Sequence, residues 1–260
     1  MAQRWTPAEE RQKYAELERL YVRDNKTIFD IAKVLHIAPQ TVFQRLQRLG
    51  ITTTPSLKVS YAARRRGDIV IPDIKTEKLA EFFGIMFGDG HLAPYQVMVT
   101  LGTKEILYVQ YVSRLLRYLF GVTPKIGIRR NGYRDVYIGS VDLVEWLKGE
   151  GLVHNKVALQ VCLPNWLFTK KEFLIGFLRG FFDTDGSIYK LRFGVQLSFT
   201  NRSLPLLAGI QRAFRSLGYS PSKSSLFRVY LTRRQEIVKF FKEVQPANQK
   251  HRVRYKAFIG

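Results

Sequence analysis

Two aspartates close two similar apolar runs. Residues 82–90 read Phe-Phe-Gly-Ile-Met-Phe-Gly-Asp-Gly and residues 178–186 read Leu-Arg-Gly-Phe-Phe-Asp-Thr-Asp-Gly, so Asp89 and Asp185 each stand just before a glycine. Aligned on these aspartates, small residues recur every four positions: Gly88 and Thr184, then Gly84 and Gly180, then Ala80 and Gly176. On a helix that spacing clears one face and lets a second backbone come close. Two such helices side by side bring both carboxylates to one point at their C-terminal ends, where the helix dipoles add negative charge. Carboxylates that close repel each other unless a cation sits between them. Mg²⁺, a hard ion that keeps several waters, suits such a pair, and metal-assisted attack of water on a phosphodiester is the chemistry it would support. A lone Asp-Gly after a helix reads as an ordinary turn. Two copies in one register argue for a shared site, with Gly90 and Gly186 expected to cap the helices in a left-handed conformation.

The rest of the chain is suited to a polyanion. Lys and Arg number 42 against 21 Asp and Glu, a formal charge of +21, which attracts nucleic acid without choosing between DNA and RNA. With 46% hydrophobic residues the 260-residue chain can bury a full core. Cys162 is the only cysteine, which excludes an intrachain disulfide and a cysteine-built zinc site; between Val161 and Leu163 it reads as a small buried residue. No segment is apolar enough for a membrane span, and the first residues lack a signal-peptide pattern, so an intracellular location is expected.

Three segments follow from the patterning. Residues 1–52 read as a small all-α module. Thr6-Pro7 opens a first helix, Thr27 caps a second carrying Ile28, Ile31, Ala32 and Leu35, and Pro39 opens a third with Val42, Leu46 and Leu49 inward. Helix, tight turn, helix resembles a helix-turn-helix domain. The outer face of the third helix carries Gln40, Thr41, Gln44, Arg45, Gln47 and Arg48, side chains able to read base edges; a plain helical hairpin with a solvated face is the alternative. Residues 53–72 read as a basic linker whose Arg64, Arg65 and Arg66 either follow phosphates or stay solvated. Residues 73–260 read as two α+β repeats, about 73–165 and 166–260, in which an acidic helix precedes a strand pair, a helix, a second strand pair and another helix. Asn131-Gly132 marks a hairpin. Leu191–Phe199 alternates as one strand, as does 227–232. The polar sheet face is expected to carry Lys125, Arg129, Arg134, Arg192, Gln196 and Arg228, and two such half-sheets would form a saddle for a duplex.

Residues 73–260, through these paired motifs, resemble the single-chain, two-motif LAGLIDADG homing endonucleases. Leu178–Gly186 lies close to the family signature; the first motif departs from it at Phe87, which replaces the middle acidic residue. The resemblance implies a pseudosymmetric pair of αββαββα repeats and a monomer that cuts both strands of a long duplex site, leaving 3′ overhangs. It implies Mg²⁺ as cofactor, with Mn²⁺ able to substitute, held by Asp89 and Asp185 with Gly88 and Thr184 beside them. It also marks Lys156 and Lys250, which follow those aspartates by 67 and 65 residues, as active-site lysines that polarise the scissile phosphate or organise the water; generic phosphate contact is the alternative reading. Two other activities occur on such a fold: an RNA maturase, with intron RNA as partner, and a non-cutting helix-turn-helix regulator.

Overall fold

The computed structural model describes residues 7–24, 26–51, 67–223 and 225–259. Thr6 and Arg64, Arg65 and Arg66 lie outside them. The chain divides into two compact units between residues 64 and 65.

The first unit is helical. Helix α1 (Pro7–Glu18) runs into a π-type turn (Arg19–Arg23), followed by α2 (Ile28–Val34) and α3 (Pro39–Arg48). The Asp30 amide donates to the Thr27 hydroxyl at 3.1 Å, which caps α2. Pro39 occupies the first turn of α3, where its missing N–H costs nothing. Leu17, Leu20, Tyr21, Ile31, Ala32, Val42, Leu46 and Ile51 form a closed apolar core.

The second unit contains two similar halves. The first runs α4 (Glu77–Phe87), β1 (Gly90–Ala93), β2 (Gln96–Leu101), α5 (Ile106–Phe120), β3 (Lys125–Ile128), β4 (Arg134–Gly139) and α6 (Val141–Gly149). The second runs α7 (Lys171–Asp185), β5 (Gly186–Leu191), β6 (Gly194–Thr200), α8 (Leu204–Ser216), β7 (Arg228–Leu231), α9 (Arg234–Glu243) and α10 (Gln249–Ile259). The sheets are antiparallel, in orders β1-β2-β4-β3 and β5-β6-β7. Val97, Val99, Val136 and Ile138 of one and Leu197, Phe199, Val229 and Leu231 of the other turn inward and are buried with the helices in one core.

Two strand expectations are corrected. Leu191–Phe199 is not one strand: Arg192 and Phe193 turn the chain, and Leu191 pairs back on Gly194. Alternation alone cannot distinguish a long strand from a strand end plus a tight turn. The expected second strand pair of the second half is a single strand, β7, bordered by an irregular segment. There the Ser222 amide donates to the Tyr230 carbonyl at 2.9 Å, and the neighbouring Pro221 has no N–H to give a ladder.

Helices α4 and α7 pack backbone to backbone. A methyl at Gly84 would lie 2.1 Å from the Phe177 carbonyl oxygen, and one at Gly180 would lie 2.0 Å from that of Glu81. Only glycine permits this approach. Across the same seam Arg179 meets the fully buried Glu81 at 3.1 Å and Glu77 at 2.8 Å, while its Nε donates to the Val244 carbonyl. Lys78 and the Tyr111 hydroxyl also donate to Glu81, so this buried carboxylate is fully partnered.

Candidate metal centre at the two-helix junction

Helix α4 ends at Phe87, Gly88 closes it, and Asp89 follows; Asp185 is the last residue of α7. A methyl at Gly88 would fall 2.0 Å from the Thr184 hydroxyl and 3.5 Å from the Asp185 carboxyl carbon, so the end of α4 abuts the end of α7. Both aspartates are half-buried. Burial raises both carboxyls above their usual range. Asp185 is pushed up to about 7, by burial first and then by the charge of Asp89. Asp89 is raised by burial, drawn back by Lys250, raised by Glu105 and drawn back by Lys156.

Gly90 and Gly186 are not left-handed caps, because neither has a positive φ. They begin β1 and β5, where the chain folds back over its own helix. A side chain at Gly90 would strike the Met86 backbone at 2.4 Å, and one at Gly186 the Phe182 carbonyl at 2.3 Å. Glycine is needed at both positions for space rather than for φ. The two middle motif positions differ. Phe87 is buried against Phe177, with ring centres 6.0 Å apart, whereas Asp183 accepts from the amides of Ala247 and Asn248 at 2.8 and 3.0 Å. Asp183 thereby holds the turn that leads into α10.

The two lysines have unlike surroundings. Lys156 donates to the carbonyls of Met86 and Gly90 at 3.0 and 2.9 Å and to that of Gly88, so its ammonium neutralises the negative end of α4. Burial lowers its pKa, and Asp185 and Asp89 oppose that shift. Lys250 instead pairs with Glu105 at 2.7 Å. Glu105, just before α5, also accepts from the Gly102 amide and from the Asn248 side chain. Three residues near the centre were not singled out from sequence: Glu105, Asn248, and Asn201, whose amide donates to Asp185 at 3.2 Å. Their signal is weak, because each is one polar residue outside any motif, and the partners of Glu105 and Asn248 lie far along the chain.

Register puts His91, Gln96, Thr100, Lys125 and Tyr137 on the open face of the first sheet, and Gln196, Tyr230 and Arg228 on that of the second. Arg134 is corrected: it shares the parity of the inward Val136 and Ile138, and at the strand end it donates to the Thr103 carbonyl at 2.8 Å. Arg129 lies just past β3 and is paired with Asp135 at 2.8 Å. Arg192 sits in the β5–β6 turn with its guanidinium 4.9 Å from the centre of the Phe193 ring. On α3, Gln40, Gln44, Gln47 and Arg48 are exposed, and Thr41 and Arg45 are half-buried. Cys162 is exposed, contrary to expectation, because the extended segment alternates and buries its neighbours Val161 and Leu163 instead.

Residues 172–245 match the family model of the LAGLIDADG-like domain. This segment is a LAGLIDADG-like domain. It spans α7 to just past α9 and thus contains Asp183, Thr184 and Asp185. Over 115 residues the chain is 31% identical to the replication factor C small subunit of Methanocaldococcus jannaschii, a match that covers 44% of this chain and only 6% of that protein's length. Among solved structures it is similar to I-DmoI in complex with DNA and Mn (18% identity, 65% of this chain, 96% of that one, TM-score 0.48). It is also similar to the N-terminal LAGLIDADG domain of DUF199/WhiA (16% identity, 67% and 86%, TM-score 0.47).

The donor set at the α4–α7 junction, which the LAGLIDADG-like domain supplies in part, fits a hard divalent ion. Asp89, Asp185 and the backbone carbonyls at the helix ends offer only oxygen, and the two repelling carboxyls would be relieved by a cation. Among the described residues no cluster of three or more His, Cys, Asp and Glu residues provides a metal cage, so an ion held here would keep water ligands. No helix among the described residues is long and apolar enough to cross a membrane.

Just past the LAGLIDADG-like domain, His251 is buried against Phe182, ring centres 4.5 Å apart, with neither ring nitrogen hydrogen-bonded. Burial, and then the charge of Lys250, hold its pKa down to about 3 from an ordinary 6.5. The unfolded chain therefore takes up this proton first as pH falls, and the stability from burying a neutral ring is present above about 6.5 and lost toward 3. Urea denaturation of His251→Phe between pH 6.5 and 4 is expected to show a shallower loss of stability than the parent protein; equal slopes would mean that the ring escapes burial when it is protonated.

Proposed function

We propose that this protein is a site-specific, metal-dependent endonuclease of double-stranded DNA. The observation that carries this reading is the meeting of Asp89 and Asp185 at the end of a glycine-packed helix pair, between two antiparallel sheets with polar open faces. Mg²⁺, or Mn²⁺ in its place, would be held by the two carboxylates, with the backbone carbonyls of Gly88 and Thr184 beside them. Bound there, the ion supplies positive charge to the scissile phosphate and lowers the pKa of water.

The chain's own residues do the rest. Asp89 and Asp185 fix the position of the charge, one from each half, so that both strands of a duplex are addressed from a pseudosymmetric monomer. Lys156 holds the Gly88 backbone in place, and Lys250, oriented by Glu105 and by the Asn248 turn, offers its ammonium to a phosphate oxygen. Lys125, Gln196 and Arg228 are suited to contact the duplex from the sheets, and Gln40 and Gln44 to read bases at a flank. Arg64, Arg65 and Arg66 are basic enough to follow phosphates. Cutting across the minor groove would leave 3′ overhangs.

The test is to expose a randomised duplex library to the purified protein with Mg²⁺ or with a chelator, and to sequence the ends. Recurrent ends at one long site, with 3′ overhangs and only in the presence of metal, are expected. Recurrent binding without ends would instead make the protein a regulator. On the recovered site, Gln40→Ala with Gln44→Ala is expected to weaken binding about tenfold, at roughly 1–3 kcal/mol for a lost bidentate base contact, and to leave the cutting rate at saturating protein unchanged. A titration with unaltered affinity would remove α3 from the footprint.

A further inference from the structure

Helix α5 buries one face against the first sheet through Val109, Val112, Leu116 and Leu119. Its opposite face therefore looks away from the sheet and from the surface assigned above to the duplex. Helix α10 runs alongside. Between the two lies a trough of about 420 Å³, lined by Gln110 and Arg114 from α5 and by Gln249, Arg252 and Lys256 from α10. It adjoins a second hollow of about 370 Å³ that reaches from Tyr111 and Arg114 to Tyr118.

Three observations give this trough a ligand. First, Arg114, Arg252 and Lys256 are exposed and pair with no carboxylate among the described residues, so their charge is available to an incoming anion. Second, two aromatic rings, Tyr111 and Tyr118, flank Arg114 along α5. Tyr118 is 73% exposed and touches no other ring among the described residues, whereas Tyr111 is fixed by stacking on Tyr108 and by its hydroxyl on Glu81. Third, the geometry selects a strand. The lining residues of α5 run from Leu107 to Tyr118, about 16 Å at 1.5 Å per residue, long enough for a few nucleotides. A duplex keeps its bases paired and stacked inward and has none to lay on Tyr118, whereas a single strand does. Unpaired cations along a path with open aromatic faces are the pattern that binds single strands through phosphates and stacking.

We propose that the α5–α10 trough binds a single strand of nucleic acid, with its phosphates on Arg114, Arg252 and Lys256 and a base on Tyr118. This site is separate from the metal centre and does not depend on the nuclease reading.

The test is a fluorescence-anisotropy titration of the full chain with a short labelled oligouridylate at fixed salt. The combined change Arg114→Gln, Arg252→Gln and Lys256→Gln is expected to weaken binding at least tenfold. Tyr118→Ala alone should weaken it about tenfold, as expected for one lost stacking contact of roughly 1–3 kcal/mol. A control that removes equal charge elsewhere, Arg215→Gln, Lys223→Gln and Lys242→Gln, should weaken it less than threefold, and duplex binding by the trough variants should stay within threefold of the parent. All these side chains are exposed, so folding is not at stake. Equal losses in the trough and control variants, no loss in either, or polyglutamate displacing the strand at equal charge concentration would each overturn the proposal.

Discussion

Asp89→Asn and Asp185→Asn are each expected to lower metal-dependent cleavage by at least about a thousandfold, roughly 4 kcal/mol of transition-state stabilisation, while duplex affinity stays within a few-fold. Asparagine keeps the shape of the side chain and removes the charge that would hold the ion. Folding is expected to survive both changes: among the described residues the Asp185 carboxylate accepts one hydrogen bond, from Asn201 at 3.2 Å. Removing one of two repelling, half-buried acids relieves strain, so Tm should hold or rise, the usual relation between a strained site and stability. Asp183→Asn makes the contrast. Asp183 accepts two backbone amides at 2.8 and 3.0 Å, and an asparagine would turn an NH₂ group toward one of them. That variant should lose stability and, through the turn before Lys250, activity as well. Thermal melts with gel-based cleavage at saturating Mg²⁺ separate the cases. An Asp185→Asn protein that still cut both strands would remove the metal from this junction.

These three aspartates also show what could be read from the chain before its fold was known. Asp89 and Asp185 were legible because each ends a repeated motif, and repetition in register carries information that a single Asp-Gly lacks. The sheet faces were legible where alternation ran through a strand interior, as at Gln196. At strand ends the outcome was mixed: Lys125 and Arg228 open β3 and β7 on the expected face, whereas Arg134 obeys the parity of Val136 and Ile138, and the Arg192-Phe193 turn interrupts a run of perfect alternation. The glycines were found but misread. The same residue type serves φ > 0 and close approach, and Gly90 and Gly186 are there because Met86 and Phe182 leave no room for a side chain.

The lysines show a deeper limit. Lys156 and Lys250 occupy matching places in the sequence, yet one caps the carbonyls of α4 and the other pairs with Glu105. What separates them is the tertiary partner. Glu105 stands 145 residues from Lys250, and no spacing rule connects the two. The pseudosymmetry that the repeats announce therefore holds for the two packed helices and the aspartates that end them, and fails for the second strand pair and for the cations around the junction.

Gly84→Ala and Gly180→Ala are expected to be the most damaging single-methyl changes in the protein. The added carbon at position 84 would sit 2.1 Å from the Phe177 carbonyl oxygen and 2.7 Å from the Phe181 nitrogen; at position 180 it would sit 2.0 Å from the Glu81 oxygen and 2.8 Å from the Ile85 nitrogen. These neighbours are backbone atoms of helices, which cannot swing aside as a side-chain tip can, so α4 and α7 must move apart along their length. The separation would loosen the layer of Phe83, Phe87, Phe177 and Phe181 and pull Arg179 from Glu81, which leaves a buried charge short of a partner. A loss of about 3 kcal/mol or more follows from overpacking a rigid core, read as a fall in the urea midpoint. Gly149→Ala is the matched control. It lies in α6, has nothing within 4 Å of the new methyl, and has no left-handed φ, so the change should be neutral or stabilising by up to about 1 kcal/mol. If Gly84→Ala melted like the parent, the helices would not be in backbone contact, and the distance that brings Asp89 to Asp185 would have no structural cause. If it remained folded but lost cleavage, the same glycine would be setting the spacing of the two acids, since the seam that packs the core is also the one that ends at the candidate metal centre.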